Sequence, residues 1–347
     1  MKENNGYNTQ LNNSINAFLN NALKVICRNP AMTKFLLKTI FWQKKAAQKR
    51  MEYEKQGIQV PPYMIISITN RCNLQCKGCY SKAQHRSIEK EISNEKLRSV
   101  ITQAKDLGIS FVLLAGGEPL MRPDILDITN DLPEVIFPLF TNGLLITDSI
   151  ITKLQNQKNV IPVISMEGFE IDTDSRRGIG VYDSIQKALE KFINYGIFYG
   201  LSFTVTRTNF ETITSESFIK DLMESGCQLF FFVEYVPVQE ETENIIITQQ
   251  QRTELAVILD SFREKFSGLF ISFPGDEEAF GGCLSSGRGF IHVSAEGDLE
   301  PCPFAPYSDM NLKDLSLKEG LQSKLLSEIR QNHAELTETK GGCALWD

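Results

Sequence analysis

The sequence predicts an α/β fold in which a parallel sheet closes partly or wholly into a barrel with helices on its outside. Two patterns carry that expectation. Six short apolar runs occur at residues 64–69, 111–115, 136–140, 161–165, 200–206 and 229–235. Between them lie amphipathic windows near residues 93–107, 123–132, 148–157, 182–195 and 211–225, and a further helix near 250–266 closes the region. Strand followed by helix, repeated in this way, puts the working site at the carboxyl ends of the strands. The length of 347 residues, with 42% hydrophobic and 23% charged content, suits one large domain plus a smaller one.

The flanks have a different texture. Residues 1–14 are polar and low in aromatics, which predicts a poorly ordered start. Helical signals then run from about residue 16 to residue 56. Lys34, Lys38, Lys45 and Lys49 share one face there, opposite Met32, Leu36, Ile40 and Ala47, while Arg28, Lys44, Arg50 and Lys55 add positive charge. The expected arrangement is a helix laid across the main domain with a solvated basic face. Two alternatives stay open: contact of residues 30–55 with an anionic membrane surface, with Phe41 and Trp42 near the basic side, or docking of a partner. After Phe273 the chain turns to Gly, Pro, Ser and clustered cysteines. The expected organisation is residues 1–60 as a disordered start and basic amphipathic helical segment, 61–266 as the barrel, and 267–347 as a small C-terminal domain.

A net charge of −7 argues against a nucleic-acid binder, because backbone recognition needs an excess of Lys and Arg. Eight cysteines are too sparse for a disulfide scaffold, and three of them fall within one eight-residue stretch, which points to metal. With neither a signal-peptide core nor a run of 18 apolar residues, the expected location is cytoplasmic, without a membrane span.

The segment SITNRCNLQCKGCYSK places Cys72, Cys76 and Cys79 directly after the first strand, with Gly78 helping the backbone bend. Closely spaced thiolates on a short loop can wrap several corners of an iron–sulfur cubane. Three thiolates leave one iron of four without a protein ligand. A zinc knuckle is the alternative, with His85 as a fourth ligand. The CxxxCxxC loop with Tyr80 after its last cysteine resembles the signature of the radical S-adenosylmethionine (SAM) superfamily. That resemblance implies a partial (β/α)6 barrel of the radical SAM type, an oxygen-sensitive 4Fe–4S cluster on Cys72, Cys76 and Cys79, and SAM.

The rest of the barrel agrees with the resemblance. Gly116, Gly117 and Glu118 after the second strand are similar to the family's GGEP motif, which implies contact with the SAM methionine amino group. Such a glycine pair lets backbone approach a ligand, and a carboxylate pairs with an ammonium. Thr141 and Asn142 end the third strand, and Ser165 and Glu167 the fourth; both segments resemble family stretches whose polar groups face SAM or substrate. Local turn chemistry is the alternative for each. Arg177, in a stretch like an arginine-containing loop of the peptide-modifying branch, is a further cofactor candidate beside a surface role.

Near the C-terminus, arms at 290–294 and 298–301 with a turn at Glu296–Gly297 predict a hairpin that brings Cys283 and Cys302 near one another. The spacing resembles the opening of SPASM and twitch extensions, which carry auxiliary iron–sulfur clusters. Only Cys343 follows, so the implied set is one auxiliary 4Fe–4S cluster on Cys283, Cys302 and Cys343, closer to a twitch extension. Structural zinc, or no metal, is the alternative. The fourth position stays open to substrate, His333, a nearby carboxylate, Cys27 or Cys227, the last two read as buried thiols by default.

The family chemistry implied is reductive cleavage of SAM to a 5′-deoxyadenosyl radical that abstracts hydrogen from a substrate C–H bond, with a flavodoxin- or ferredoxin-type reductant. The extension favours a peptide or protein substrate by analogy. The alternatives are a lipid or other small molecule at the membrane surface, and a non-enzymatic electron-transfer or sensor protein. Glu234, Tyr235, Asp276 and Glu277 are candidates for the substrate mouth, with surface or turn roles as alternatives.

Overall fold

A computed structural model of the chain describes residues 4–26, 30–239 and 242–336, together with Cys343 and Leu345. The apolar runs become strands because alternate residues in each are buried on opposite faces of one sheet. These are β1 (Tyr63–Ser67), β2 (Phe111–Ala115), β3 (Phe137–Thr141), β4 (Val160–Ser165), β5 (Gly200–Val205), β6 (Leu229–Glu234), β7 (Leu269–Phe273), β8 (Phe290–Val293) and β9 (Leu299–Glu300). The order across the sheet is β7-β6-β5-β4-β3-β2-β1-β8-β9, parallel throughout except for the β8–β9 hairpin, and it curls into a half-barrel.

Two elements differ from the expectation. β7 extends the sheet beyond β6, on a five-residue apolar run too short to stand out beside the long helix before it. The hairpin is not a sheet of its own: β8 lies parallel beside β1, with Tyr63 opposite Phe290 and Ile65 opposite His292.

Helices α1 (Asn4–Ile26), α2 (Pro30–Lys55), α3 (Tyr80–Ala83), α4 (Asn94–Leu107), α5 (Ile125–Asn130), α6 (Asp148–Asn156), α7 (Glu170–Arg177), α8 (Val181–Asn194), α9 (Phe210–Ile213), α10 (Glu216–Glu224), α11 (Gln249–Lys265), α12 (Leu317–Gly320) and α13 (Lys324–Gln331) complete the chain. The start signals act locally: Ser93 caps α4 through the Lys96 N–H, and Thr248 with Gln251 forms a capping box on α11. Met64, Ile66, Val112, Leu114, Phe230 and Phe232 face outward into the core shared with these helices.

The inner face of the half-barrel is graded. Towards the amino ends it is apolar, with Phe111, Val163, Leu229, Phe231 and Leu269 packed against α1 and α2. Towards the carboxyl ends the alternation brings Ser67, Ser165, Ser202, Thr204 and His292 onto the same face.

The N-terminal segment corrects one expectation and supports another. Asn4–Ile26 is a helix rather than a disordered start, because Leu11, Ile15, Leu19, Ala22 and Val25 recur at helical spacing and all are buried. Met32 and Leu36 of α2 join them on the barrel, while Lys34, Lys38, Lys45 and Lys49 are exposed. Arg50 does not belong to the solvated basic face: it is buried, with Nη1 donating to the Gly108 carbonyl and Nη2 to Asn12 Oδ1 at 2.6 Å. Arg28 lies outside the described residues.

Leu19 is 1% exposed in the core between α1 and the sheet, so Leu19→Ala is expected to lower stability by about 3 kcal/mol in denaturant unfolding. A loss under about 0.5 kcal/mol, the size of a surface substitution, would show that α1 is not packed there.

Candidate active site

The carboxyl ends of β1 to β6 carry nearly every residue singled out in the sequence. β1 leads into the cysteine loop, in which Cys72, Cys76 and Cys79 are half-buried. The loop is pinned to the end of β2 by backbone: Gly117 N donates to Thr69 O and Glu118 N to Arg71 O, both at 2.8 Å. A Cβ on Gly117 would stand 2.1 Å from Arg71 O, and one on Gly116, at φ +115°, 2.7 Å from Thr69 O. The first demand on these glycines is therefore the approach of the loop itself, not of a ligand. Gly78, at φ +68°, makes the bend in the loop, and the Tyr235 side chain closes over it, its hydroxyl 2.5 Å and its ring 2.7 Å from where a Cβ would be.

Glu118 is fully buried and organises the neighbouring strand end. Its Oε1 accepts from Leu120 N at 3.0 Å and Thr141 Oγ1 at 2.7 Å, and its Oε2 accepts from Asn142 N at 2.8 Å. Burial pushes its pKa up, against those bonds and the charge of Arg177. Asn142 Nδ2 reaches back to Asn73 Oδ1 at 2.7 Å, tying β3 to the cysteine loop. Ser165 is half-buried at the end of β4.

The expected arginine loop is instead helix α7, ended by Gly178, and it folds both of its arginines inward. Glu167, 1% exposed, takes Arg176 Nη1 on Oε1 at 2.6 Å and Arg177 Nη2 at 2.6 Å, while Oε2 accepts from Thr204 N at 3.1 Å. Lys77 N donates to Arg176 O at 2.9 Å, so α7 lies against the cysteine loop. Arg177 is thus not a surface residue, and Arg176 is a site residue the sequence reading missed. Its adjacent position in the same Arg-Arg pair was the available signal.

The three thiols share one electrostatic environment. Burial raises Cys72, opposed by the Leu74 N–H and reinforced by Glu118, Cys76 and Cys79. Burial also raises Cys76, opposed by Arg177 and then Arg176. Arg176 Nε is buried without an acceptor among the described residues. Among those residues no three Cys, His, Asp or Glu side chains are drawn onto one point as around a single metal ion. His85 is exposed.

The C-terminal cysteines form a second coupled set. Burial raises Cys302, with Cys343 and Cys283 adding, and burial raises Cys283 to about 12, with Glu277 adding. The two sets adjoin through the Tyr80 ring, which meets Phe304 edge-on at 5.2 Å, and through Gln84 Nε2, which donates to Pro303 O at 2.6 Å. Tyr80 also lies near both Cys79 and Cys302 and bonds the Gly116 backbone.

A buried polar chain that the sequence reading did not find crosses the inner face beside these sets. Ser67 Oγ lies 2.9 Å from His292 Nε2, and His292 Nδ1 lies 2.7 Å from Glu300 Oε2. Arg86 pairs with the other oxygen of Glu300.

Other candidates fall elsewhere. Cys227 is a buried thiol, as its default reading had it, pushed by burial to about 12 and directed at Leu229 O. Cys27 lies outside the described residues. His333 Nδ1 lies 3.0 Å from Arg330 O. Glu234 pairs with Arg252 at 2.8 Å, and Asp276 with Arg263 at 2.6 Å.

Because the atom next to the Gly117 position is backbone, Gly117→Ala is expected to displace the cysteine loop. Anaerobic reconstitution should give less than about half of the wild-type iron on that loop with an unchanged far-ultraviolet spectrum, since a Cβ at 2.1 Å cannot be accommodated. Wild-type iron content would refute the close approach.

Residues 66–222 match the family model described as the radical SAM superfamily. The Fe-coproporphyrin III synthase of Methanosarcina barkeri is 31% identical over 166 residues, which cover 47% of this chain and 41% of that protein. The mycofactocin maturase MftC of Mycolicibacterium smegmatis is 26% identical over 313 residues, 85% of this chain and 77% of that one. Among solved structures, SuiB of Streptococcus suis bound to precursor peptide SuiA has a TM-score of 0.65 at 19% identity, covering 90% of this chain and 75% of that chain, a likeness of fold. The family match starts in β1 and runs through α9 into α10, so residues 66–222 of this chain form a radical SAM superfamily domain.

Proposed function

We propose that Cys72, Cys76 and Cys79 hold the 4Fe–4S cluster that membership of this superfamily implies, and that the enzyme modifies a peptide or protein. The carrying observation is the donor set: three neighbouring thiols, of which Cys72 and Cys76 are raised chiefly by burial, beneath a paired arginine whose buried Arg176 Nε has no acceptor among the described residues. Such a set fits an anionic cluster, since iron takes thiolates and the orphaned N–H can meet a sulfur or a carboxylate.

Bound there, the cluster and SAM supply one-electron cleavage of the sulfonium and a 5′-deoxyadenosyl radical that takes hydrogen from a C–H bond. The chain's own residues orient and exclude. Gly116 and Gly117 set the loop, Tyr80 and Tyr235 shield it, and Arg176 and Arg177 offer positive charge to the SAM carboxylate. Glu118 holds Thr141 and Asn142 in place, with an oxygen lone pair left for the SAM ammonium. Thr141, Asn142, Ser165 and Glu167 line the polar rim at the ends of β3 and β4.

Two things support a peptide substrate. The alignment with a maturase extends over 85% of the chain, past the radical SAM domain, and the peptide-bound SuiB shares the fold. Cys283, Cys302 and Cys343 are read as an auxiliary cluster site because Cys302 is buried, Cys283 is half-buried and the charges of the three thiols act on one another.

Anaerobically reconstituted protein mixed with SAM and dithionite is expected to release 5′-deoxyadenosine. Replacing Cys72, Cys76 and Cys79 by Ala should reduce that release to background. Cleavage that survives the triple replacement would sink the assignment of the loop.

A second reading, contact of α2 with anionic lipid, is favoured by Leu37 and Phe41, 58% and 55% exposed among Lys34, Lys38 and Lys45, with Lys45 Nζ 4.5 Å from the Phe41 ring centre. No helix among the described residues is long and apolar enough to cross a membrane. Pelleting with phosphatidylserine vesicles, lost on reversing Lys34, Lys38, Lys45 and Lys49 to Glu, is the expected result. Absence of pelleting by the wild type would end this reading.

A further inference from the structure

A cleft of about 230 Å³ opens between α1 and α2, and none of its lining residues belongs to the carboxyl-end site. Its polar lining is Asn12 and Asn16, one turn apart on α1, with Gln43, Lys44, Gln48 and Arg50 on α2; no Asp or Glu lines it. Donors thus outweigh acceptors, and two of them are buried.

Arg50 is 6% exposed and stays charged at neutral pH, since burial pushes its pKa down only to about 10. Its hydrogen bonds run to neutral acceptors, the Gly108 carbonyl and Asn12 Oδ1, and no carboxylate among the described residues pairs with it. Glu54, one turn further along α2, borders a separate cavity of about 10 Å³ and makes no ion pair with it. Gly108 closes α4, and the carboxyl end of a helix carries about half a negative charge, so part of the cation stays uncompensated. A buried charge without a counter-ion is costly, and the guanidinium has N–H groups beyond those two bonds.

Gln43 is 2% exposed. Its Oε1 accepts from Ser110 Oγ at 2.6 Å, which fixes the amide, and its Nε2 has no hydrogen-bond partner among the described residues. Water satisfies an N–H but brings no charge to Arg50. One anion answers both needs, because its oxygens accept from amide and guanidinium while neutralising the buried cation. Lys44, exposed at the rim, adds a second positive charge.

The mouth of the cleft points to the source of the anion. Leu37, Phe41, Lys44 and Gln48 recur at i, i+4, i+7 and i+11, so they share one stripe of α2. Exposed apolar side chains occupy one part of that stripe, and the rim of the cleft begins one turn beyond Phe41. A helix that lays Leu37 and Phe41 into a membrane surface holds such a cleft at the level of the lipid phosphates.

We propose that the cleft between α1 and α2 binds a phosphate group, presented by an anionic phospholipid on which Leu37 and Phe41 rest. The lipid source rests on the reading of α2 as a membrane-contacting helix; the anion site rests on Arg50 and Gln43.

The test uses the full chain in two arms at one fixed ionic strength. In the first, sn-glycerol 3-phosphate is titrated into the wild type and into Gln43→Glu, which keeps the acceptor for Ser110 and puts an oxygen in place of the orphaned N–H. In the second, the same proteins are sedimented with phosphatidylcholine vesicles that contain or lack phosphatidic acid. Saturable binding of glycerol phosphate is expected, weakened at least about tenfold by Gln43→Glu, together with pelleting on phosphatidic acid that this variant loses. Lys44→Glu, an exposed change that leaves the core untouched, should weaken both arms and guards against misfolding of the Gln43 variant. Glycerol phosphate binding without pelleting keeps the anion site and overturns the lipid source. Pelleting that survives both variants but is lost on reversing Lys34, Lys38, Lys45 and Lys49 overturns the cleft and leaves the membrane contact standing. Binding in neither arm overturns both.

Discussion

Gly117 N and Glu118 N bond Thr69 O and Arg71 O at 2.8 Å, and through these two contacts the cysteine loop lies on the end of β2 more tightly than any side chain would allow. Everything else at the carboxyl end is built on that contact. It sets where the three thiols stand and places the Glu118 carboxylate one residue further on, where Thr141 and Asn142 can donate to it. Loop, second strand and third strand are thereby one hydrogen-bonded unit, with Asn142 to Asn73 as the return link.

Charge is distributed around that unit in a consistent way. Two arginines share one buried glutamate, so the group of Arg176, Arg177 and Glu167 carries net positive charge against the loop. Burying a charge without compensation costs several kcal/mol, and a surplus cation held beside thiols is stabilised once those thiols become thiolates. The arrangement suits anionic groups at the cysteine loop.

The half-barrel divides its inner face by chemistry. α1 and α2 cover its apolar amino end, which leaves the polar carboxyl end, with Ser67, His292 and the cysteine loop, as the place for chemistry. α1 also reaches the Cys283 segment through Tyr7 and through Gln10 Nε2, which donates to Ala279 O at 2.9 Å. One helical hairpin thus serves both the barrel and the second cysteine set.

Local features are legible in the chain. A Cys-loop after a strand, glycines before Glu118, alternating apolar runs and helical windows are properties of neighbouring residues, and their spacing survives folding unchanged. Even α1 was legible in its stripe from Leu11 to Val25, and was obscured by the asparagines between. What required the tertiary structure were relations across long separations: Tyr7 under Arg288, His292 between Ser67 and Glu300. The addition of β8 to the open edge of β1 makes the last of these, since a strand 225 residues further along the chain contributes His292 to the same face as Ser67. No periodicity encodes a register between such distant segments; it is fixed only when the sheet forms.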